Sequence, residues 1–486
     1  MTNRKMSLWR LAPIALILAS FAGGLYARNH FGPSKPLTGN AAADRRYASL
    51  DVTPSVSPLD LFYEVFRHVR THYVDRIEDQ TPLSHGVLRG MAAYFPDPLT
   101  RFVTPEEAER MDREASGQFE GIGAVIEVRR IQEPVTDPAQ RAELAKLVKE
   151  VRDQGETSSN IGFTEDTITK TNVTIVAPIP GGPADRAGLL AGDRVDYIND
   201  QWVISYMATL DLLQKRTALR NQRIPRKEYD AAAEALEAKL KAALTTEKAI
   251  GLLATSKEPL RLKVQRPGSA DPITVTVTPG SVTTTPVTWE DLGSGAGYVR
   301  ISAFSAEAPA QFRSALNALK SKRGTRIVLD LRNCALGSRA EMLQMTGMLL
   351  GGATVARLQN KQGSEERTPV RTPSGEALWT GAIAVVTNRG TAGLAEVMAA
   401  ALREKNKAPL VGSRTAGDTM ARERISLEDG ASLVIPTGKY FTAGGLDFSE
   451  VGLQPDAEVR EAAKIGPPAT DPAVRKAIDL LRKGNA

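Results

Sequence analysis

The sequence predicts an α/β chain of several domains: a helical N-terminal region, a β-rich middle domain carrying helical insertions, and an α/β core. Three observations carry that expectation. The chain has 486 residues, 42% of them hydrophobic and 24% charged, enough for more than one core. Between Ser116 and Val203, short apolar runs are separated by Gly-Pro turns. From Gly297 onward, unbroken apolar runs alternate with helical patterns, which marks a layer buried on both faces.

Arg4, Lys5 and Arg10 precede an uncharged run from Leu11 to Ala27. Within residues 1–30 this reads either as an export signal, with a small-residue cleavage site after Ala22, or as an uncleaved membrane anchor. The basic flank places the rest of the protein outside the cytoplasm in both cases, periplasmic or otherwise extracytoplasmic. Residues 31–56 are rich in Pro, Ser, Gly and Ala without periodicity and read as a linker. In the region 57–115 the pattern is helical from Leu59 to about Met111, with Leu61, Val65, Val69 and Tyr73 on one face.

The β-rich domain spans 116–282. "SGQFEGIGAVIEV" and "NVTIVAPIPGGPADRAGLLAGDRVDYINDQWV" supply its strands, with "GPADRAGL" as a single helical turn. Two helical insertions are expected, near 130–170 and near 206–250. The first has Asp137 as N-cap, Pro138 at the first helical position and Gly155 as its stop. The second carries a narrow stripe of Tyr229, Leu236, Leu240 and Leu244, with Glu237 and Lys241 spaced for an i,i+4 pair. The core, 283–460, contains the runs "GYVRISAF", "RIVLDLR", "GAIAVVTN" and "APLVGSR" as strands, two intervening helices, and a hairpin-like "ASLVIPTGKYFT". In the tail, 461–486, Ile478, Leu480 and Leu481 make a short apolar edge suited to assembly, so a homo-oligomer is expected.

Several function classes are excluded. The net charge of +6 is dispersed among acidic residues without an aromatic-basic cluster, which argues against a nucleic-acid partner. Cys334 is the only cysteine, and the histidines are His30, His68, His72 and His85. No Ser-His-Asp triad and no histidine- or multi-cysteine-ligated metal site can be built from the remainder of the chain. No metal and no cofactor is expected.

The blocks "YFPDPLTRFVTPEEAERM", "FEGIGAVIEV", "GGPADRAGLLAGDRV", "GYVRISAFS", "IVLDLRN" and "VGLQPDAEV" together resemble the tail-specific, or carboxy-terminal processing, serine protease family, over about Ser57 to Val459. The resemblance implies a PDZ domain in the middle region and a protease fold in the core. It also implies a serine nucleophile, a lysine base 25 residues later and a glutamine four beyond that. The family's "GSASASEI" is here "GTAGLAEV", placing Gly393 at the nucleophile, and its "TFGKGxVQ" is "TAGDTMAR", placing Asp418 at the lysine and Arg422 at the glutamine. The family's "DLRNNPGG", which lends backbone N–H groups near the oxyanion site, reads "DLRNCALG", with Leu336 for the first glycine and Gly337 retained.

Glycine has no side chain with which to attack a carbonyl. Nearby hydroxyls at Thr387, Thr391, Ser413, Thr415 and Thr419 lack a lysine or histidine at the family's offset and read as turn or cap residues. Cys334 reads as a small buried residue. A water activated by Asp418 and oriented by Arg422 is the competing enzymatic reading, although a carboxylate held by a guanidinium is a weak base. The peptide-binding apparatus is intact in sequence: Gly121, Ile122 and Gly123 form the Gly-x-Gly of a PDZ carboxylate loop in front of a strand. The expectation is therefore a pseudoprotease that binds protein C-termini or unfolded proteins. It would serve as adaptor or regulator of an active protease relative, tethered to a membrane through residues 11–27. A structural envelope protein is the third reading.

Overall fold

The computed structural model describes residues 58–75, 77–95, 97, 99–136, 138–153, 164, 166–204, 215, 219, 224–360, 366–460 and 465–483. The apolar run Leu11–Ala27 and the linker lie outside them. Among the described residues, no helix is long and apolar enough to cross a membrane. Residues 1–80 and 81–486 form two units.

In the first unit, α1 (Pro58–His72) is the amphipathic helix expected from the sequence. It stops one residue short of the four-membered stripe, and Tyr73 N–H closes it onto Val69 O. The second unit opens with α2 (Thr81–Ala93), β1 (Arg101–Val103) and α3 (Pro105–Ala115), so the helical pattern expected through Met111 is broken by a strand. The cause is local. Asp97 accepts hydrogen bonds from the N–H groups of Leu99 and Thr100, at 2.9 and 2.6 Å, turning the chain between α2 and β1. α3 then starts on a capping box: Thr104 Oγ1 accepts from Glu107 N–H, and Glu107 Oε2 accepts from Thr104 N–H.

The main sheet of the β-rich domain runs β2 (Ala124–Pro134), β3 (Thr167–Pro178), β4 (Arg194–Ile198), β5 (Leu260–Gln265) and β6 (Ile273–Val277) in spatial order, with β2 at one edge and the short strand Gln201–Trp202 paired to β4. The first insertion is not a helical replacement of sheet. β2 and β3 pair antiparallel from Ala124↔Pro178 to Pro134↔Thr167, and the helix α4 (Pro138–Asp153) sits in the tip of this long hairpin. Pro138 begins α4 as expected; Asp137 and Gly155 lie outside the described residues.

After the single turn α5 (Pro183–Arg186), the second insertion carries α6 (Arg226–Ala242). Its Lys241 and Glu237 pair at 2.6 Å. A bridge between Val203 and Leu244 closes it. The boundary expected at 250 is therefore too late. α7 (Thr246–Thr255) belongs to the domain itself, and its Ala249 and Leu253 pack with Ile122, Val173, Ile175, Leu260 and Leu262.

The core sheet is formed by β7 (Val287–Asp291), β8 (Ala296–Ile301), β9 (Arg326–Asp330), β12 (Ala382–Thr387), β13 (Leu410–Gly412) and a short strand at Ala457–Glu458. All pairs after β7–β8 are parallel. Helices α8 (Ala308–Ser321), α9 (Arg339–Leu350) and α10 (Leu394–Asn406) pack with Ile327, Leu329, Ile383 and Val385. Alternating residues of the same strands, Tyr298, Val328, Ala384, Val386 and Val411, meet α11 (Pro472–Lys483) on the other face. Burial on both faces is why these strands read as unbroken apolar runs. It also spends the apolar edge expected to serve assembly: Leu481 is buried against its own sheet, and Ile478 and Leu480 pack beside it.

A second sheet contains β10 (Thr354–Gln359), β11 (Thr368–Arg371), β14 (Met420–Ser426) and β15 (Ser432–Thr442), together with β1. The hairpin expected within 431–442 is a single strand, because Pro436 and Gly438 flank a register shift against β14 instead of turning the chain. The turn lies earlier, at Leu427–Ala431, where Gly430 has φ of +83° and Leu427 N–H reaches Ala431 O.

Candidate active site

The parallel strand β12 delivers the chain to a sharp turn and into α10. Gly393 sits at the head of that helix with φ +61° and ψ −118°, a conformation costly for any residue with a Cβ. The space beside it is open. A Cβ built there would meet only Asp418 Oδ2, at 3.9 Å. The structure therefore brings together the positions that the resemblance assigns to nucleophile and base, 25 residues apart in sequence.

Glu396 organises the site, and sequence reasoning overlooked it. Its side chain is fully buried. It accepts hydrogen bonds from the N–H groups of Gly393 (3.1 Å), Gly417 (2.7 Å) and Asp418 (2.8 Å), and from the Thr415 hydroxyl. One carboxylate thus ties the helix head to the segment 415–418. Burial pushes its pKa up to about 7 against the opposing pull of those donors, with the charge of Asp418 adding to the rise. An acidic residue three positions into a helix, after a Gly-containing turn, was the available signal.

Asp418 does not face the cleft alone. Its Oδ2 lies 2.6 Å from Arg422 Nη2 and 4.0 Å from Arg129 Nη2. Arg422 Nη1 in turn lies 2.8 Å from Glu127 Oε1, and Arg129 Nε lies 3.5 Å from Glu127 Oε2. Glu127 and Arg129 come from β2, so the network joins the β-rich domain to the core. Burial opposes the charge on Glu127, but Arg422 and Arg129 outweigh it and hold its pKa down, at about 2. Burial likewise opposes the charge of Arg422, and Glu127 and Asp418 outweigh it, raising its pKa. Two charged residues alternating along one strand were the only sequence hint of this role.

Leu336 and Gly337 lie on the other side. Gly337, at φ +124°, pairs beside Phe304, where an added Cβ would come within 2.4 Å of the Phe304 carbonyl oxygen. Leu336, with Ala335, Ala392 and Ala416, packs against Phe119, Val125, Val176, Ala177 and Ile179 of the β-rich domain. Cys334 is fully buried, and burial pushes its pKa up to about 12. The Thr387 hydroxyl donates to Ser413 O and that of Thr391 to Leu331 O, while Thr419 is buried.

The loop expected to take a peptide carboxylate is built but occupied. Gly121 and Gly123 have φ of +64° and +63°. The Ile122 N–H donates to Leu253 O at 2.9 Å and the Gly123 N–H to Glu120 O at 3.2 Å. The C-terminal end of α7 presses on the loop so closely that a Cβ at Gly121 would stand 2.3 Å from Leu253 O. Among the described residues, no group of acidic, cysteine and histidine side chains could hold a metal ion.

Residues 295–459 match peptidase family S41, and residues 174–220 match a PDZ domain. The carboxyl-terminal-processing protease of Synechocystis sp. is 25% identical over 435 residues, covering 87% of this chain and 84% of that protein. The carboxy-terminal processing protease of Bacillus subtilis is 23% identical, covering 84% of this chain and 71% of that protein. Among solved structures, a photosystem II D1 C-terminal processing protease is similar in fold, with a TM-score of 0.53 and 22% identity. That match covers 86% of this chain and 96% of the other.

Proposed function

We propose that this chain, a PDZ-containing relative of the carboxyl-terminal processing proteases with a peptidase family S41 core, binds protein C-termini outside the cytoplasm without cutting them. The observation that carries the reading is Gly393. At the head of α10, where the family resemblance puts a serine, there is no side chain, and the group that a Cβ there would meet is the Asp418 carboxylate. In a serine protease, losing the nucleophile lowers turnover by roughly 10⁶. Asp418 is a poor replacement, being already paired with Arg422.

Binding is supported by the PDZ match and by β2, which stands at the edge of its sheet and can take an extended peptide as an added strand. A terminal carboxylate at Gly121–Gly123 has to displace Leu253 O from the Ile122 N–H. By holding such C-termini the protein would serve as adaptor or regulator of an active protease. The signal or anchor pattern of residues 11–27 supports the extracytoplasmic location.

The experiment incubates the protein with an unfolded protein substrate beside its Asp418→Asn variant and follows peptide release. Capture of C-terminal peptides by both proteins is measured in parallel. The expected result is no release by either and saturable capture by both. Release by the parent but not by Asp418→Asn would replace this reading with water-mediated hydrolysis. Neither release nor capture would leave a structural role.

A further inference from the structure

The positions that would carry chemistry are also where the PDZ domain meets the core. Three kinds of contact converge there. Leu336 and its small neighbours Ala335, Ala392 and Ala416 pack under Phe119, Val125, Val176 and Ile179. Arg422 bridges Glu127 of β2 to Asp418. Asn333 Nδ2 donates to Pro178 O, at the end of β3, at 3.0 Å.

The apolar patch and the ion-pair bridge depend on residues this chain has in place of the family's, whereas Asn333 is the residue the family motif also has. A glycine at 336 would bring no apolar side chain to the PDZ face. A lysine at 418 would stand among the guanidiniums of Arg129 and Arg422. A glutamine at 422 would leave Glu127 without its closest cation. A largely buried carboxylate deprived of its partner is strongly unfavourable.

We propose that Leu336, Asp418 and Arg422 form a seat that fixes the PDZ domain on the core, so that the two move as one body and not as hinged modules. The ion pairs supply orientation and the apolar patch supplies adhesion. Because the seat uses the substituted positions, loss of the catalytic set and fixation of the domain are the same sequence event. The inference concerns the free protein and does not depend on whether a peptide binds.

The test places nitroxide labels on exposed sites of the two domains, at Lys257→Cys in the PDZ domain and Arg313→Cys on α8, in the full chain held in detergent. The native Cys334 is fully buried and stays unlabelled. Electron-spin distance measurement is expected to give one narrow distribution for the otherwise unaltered protein. It is expected to broaden at least twofold in Arg422→Gln combined with Leu336→Gly. Glu127→Gln, which breaks the bridge from the PDZ side, supplies an independent variant should the double change fail to fold, and is expected to broaden the distribution in the same direction. Folding of each variant is checked by circular dichroism. A distribution that is broad in the parent, or equally narrow in every folded variant, overturns the seat. No peptide is added, so this result is separable from failure of the binding reading.

Discussion

The head of α10 and the Gly121–Gly123 loop are built from the same device, a glycine at positive φ beside a helix, and their surroundings treat them in opposite ways. At Gly393, where the family resemblance expects a serine, the helix head carries no side chain and the space beside it is open. At Gly121–Gly123 the residues suited to binding are present, yet their donors are consumed by Leu253 O and Glu120 O. A motif in sequence therefore reports geometry more faithfully than availability. Whether a site can act depends on what its neighbours do with its hydrogen-bonding groups.

The comparison breaks most sharply at Glu396. Glu396→Ala leaves the N–H groups of Gly393, Gly417 and Asp418 and the Thr415 hydroxyl without their acceptor. It is expected to cost about 5 kcal/mol in denaturant unfolding, since each unmet buried group costs roughly 1–3 kcal/mol. A loss below about 1 kcal/mol would mean that the frame at Gly393 does not rest on this carboxylate.

The two glycine sites separate next. Gly121→Ala combines positive φ with a Cβ 2.3 Å from Leu253 O and should cost about 4 kcal/mol, whereas Gly393→Ala carries the backbone strain alone, about 2 kcal/mol. Thermal unfolding of the two variants side by side measures the difference. Equal losses would remove the contrast between a filled loop and an open one.

The carboxylates of the site predict opposite pH responses. The Glu396 pKa is raised from 4.5 to about 7 in the folded protein. Its contribution to stability is fully present below pH 4.5 and is lost as pH rises through 7, by about 3 kcal/mol at most. Glu127 is lowered from 4.5 to about 2, so its contribution is present above pH 4.5 and disappears as pH falls toward 2. Glu396→Gln should therefore flatten the stability profile between pH 5 and 8 and leave the acid limb intact, whereas Glu127→Gln should do the reverse. Unfolding midpoints across pH 2–8 for the three proteins check both signs.

The smallest effect is expected from restoring the nucleophile alone. Gly393→Ser should leave peptide release at the level of the parent, because Asp418 remains bound to Arg422 and no lysine is present. Release from that single variant would show that the aspartate can serve as base after all.

Much of the fold was legible because the signals were local or periodic. Unbroken apolar runs at Arg326–Asp330 and Ala382–Thr387 indicated strands covered on both faces, and Pro138 marked the start of a helix. The 25-residue frame from Gly393 to Asp418 was legible as a resemblance, and the structure places those two positions within reach of one another. What escaped the sequence was non-local. The start of α7 reads in sequence as part of an insertion, because only the bridge from Val203 to Leu244 shows where the excursion closes. The assembly edge of α11 has nothing in its own pattern to say that the sheet beside it needs covering. Glu127 and Arg129 are ordinary strand residues until Arg422, nearly 300 positions later, is folded against them.

That bridge carries a practical consequence. The chain leaves the PDZ sheet at Val203 and re-enters it at Leu244, which is hydrogen-bonded to Trp202 and Ile204 on either side. An excursion whose two ends already touch can be shortened or lengthened at little entropic cost, about 0.6 kcal/mol per doubling of length. Residues 205–243 are thus a natural graft point: a reporter domain or a short glycine turn spliced between them should leave the surrounding sheet undisturbed.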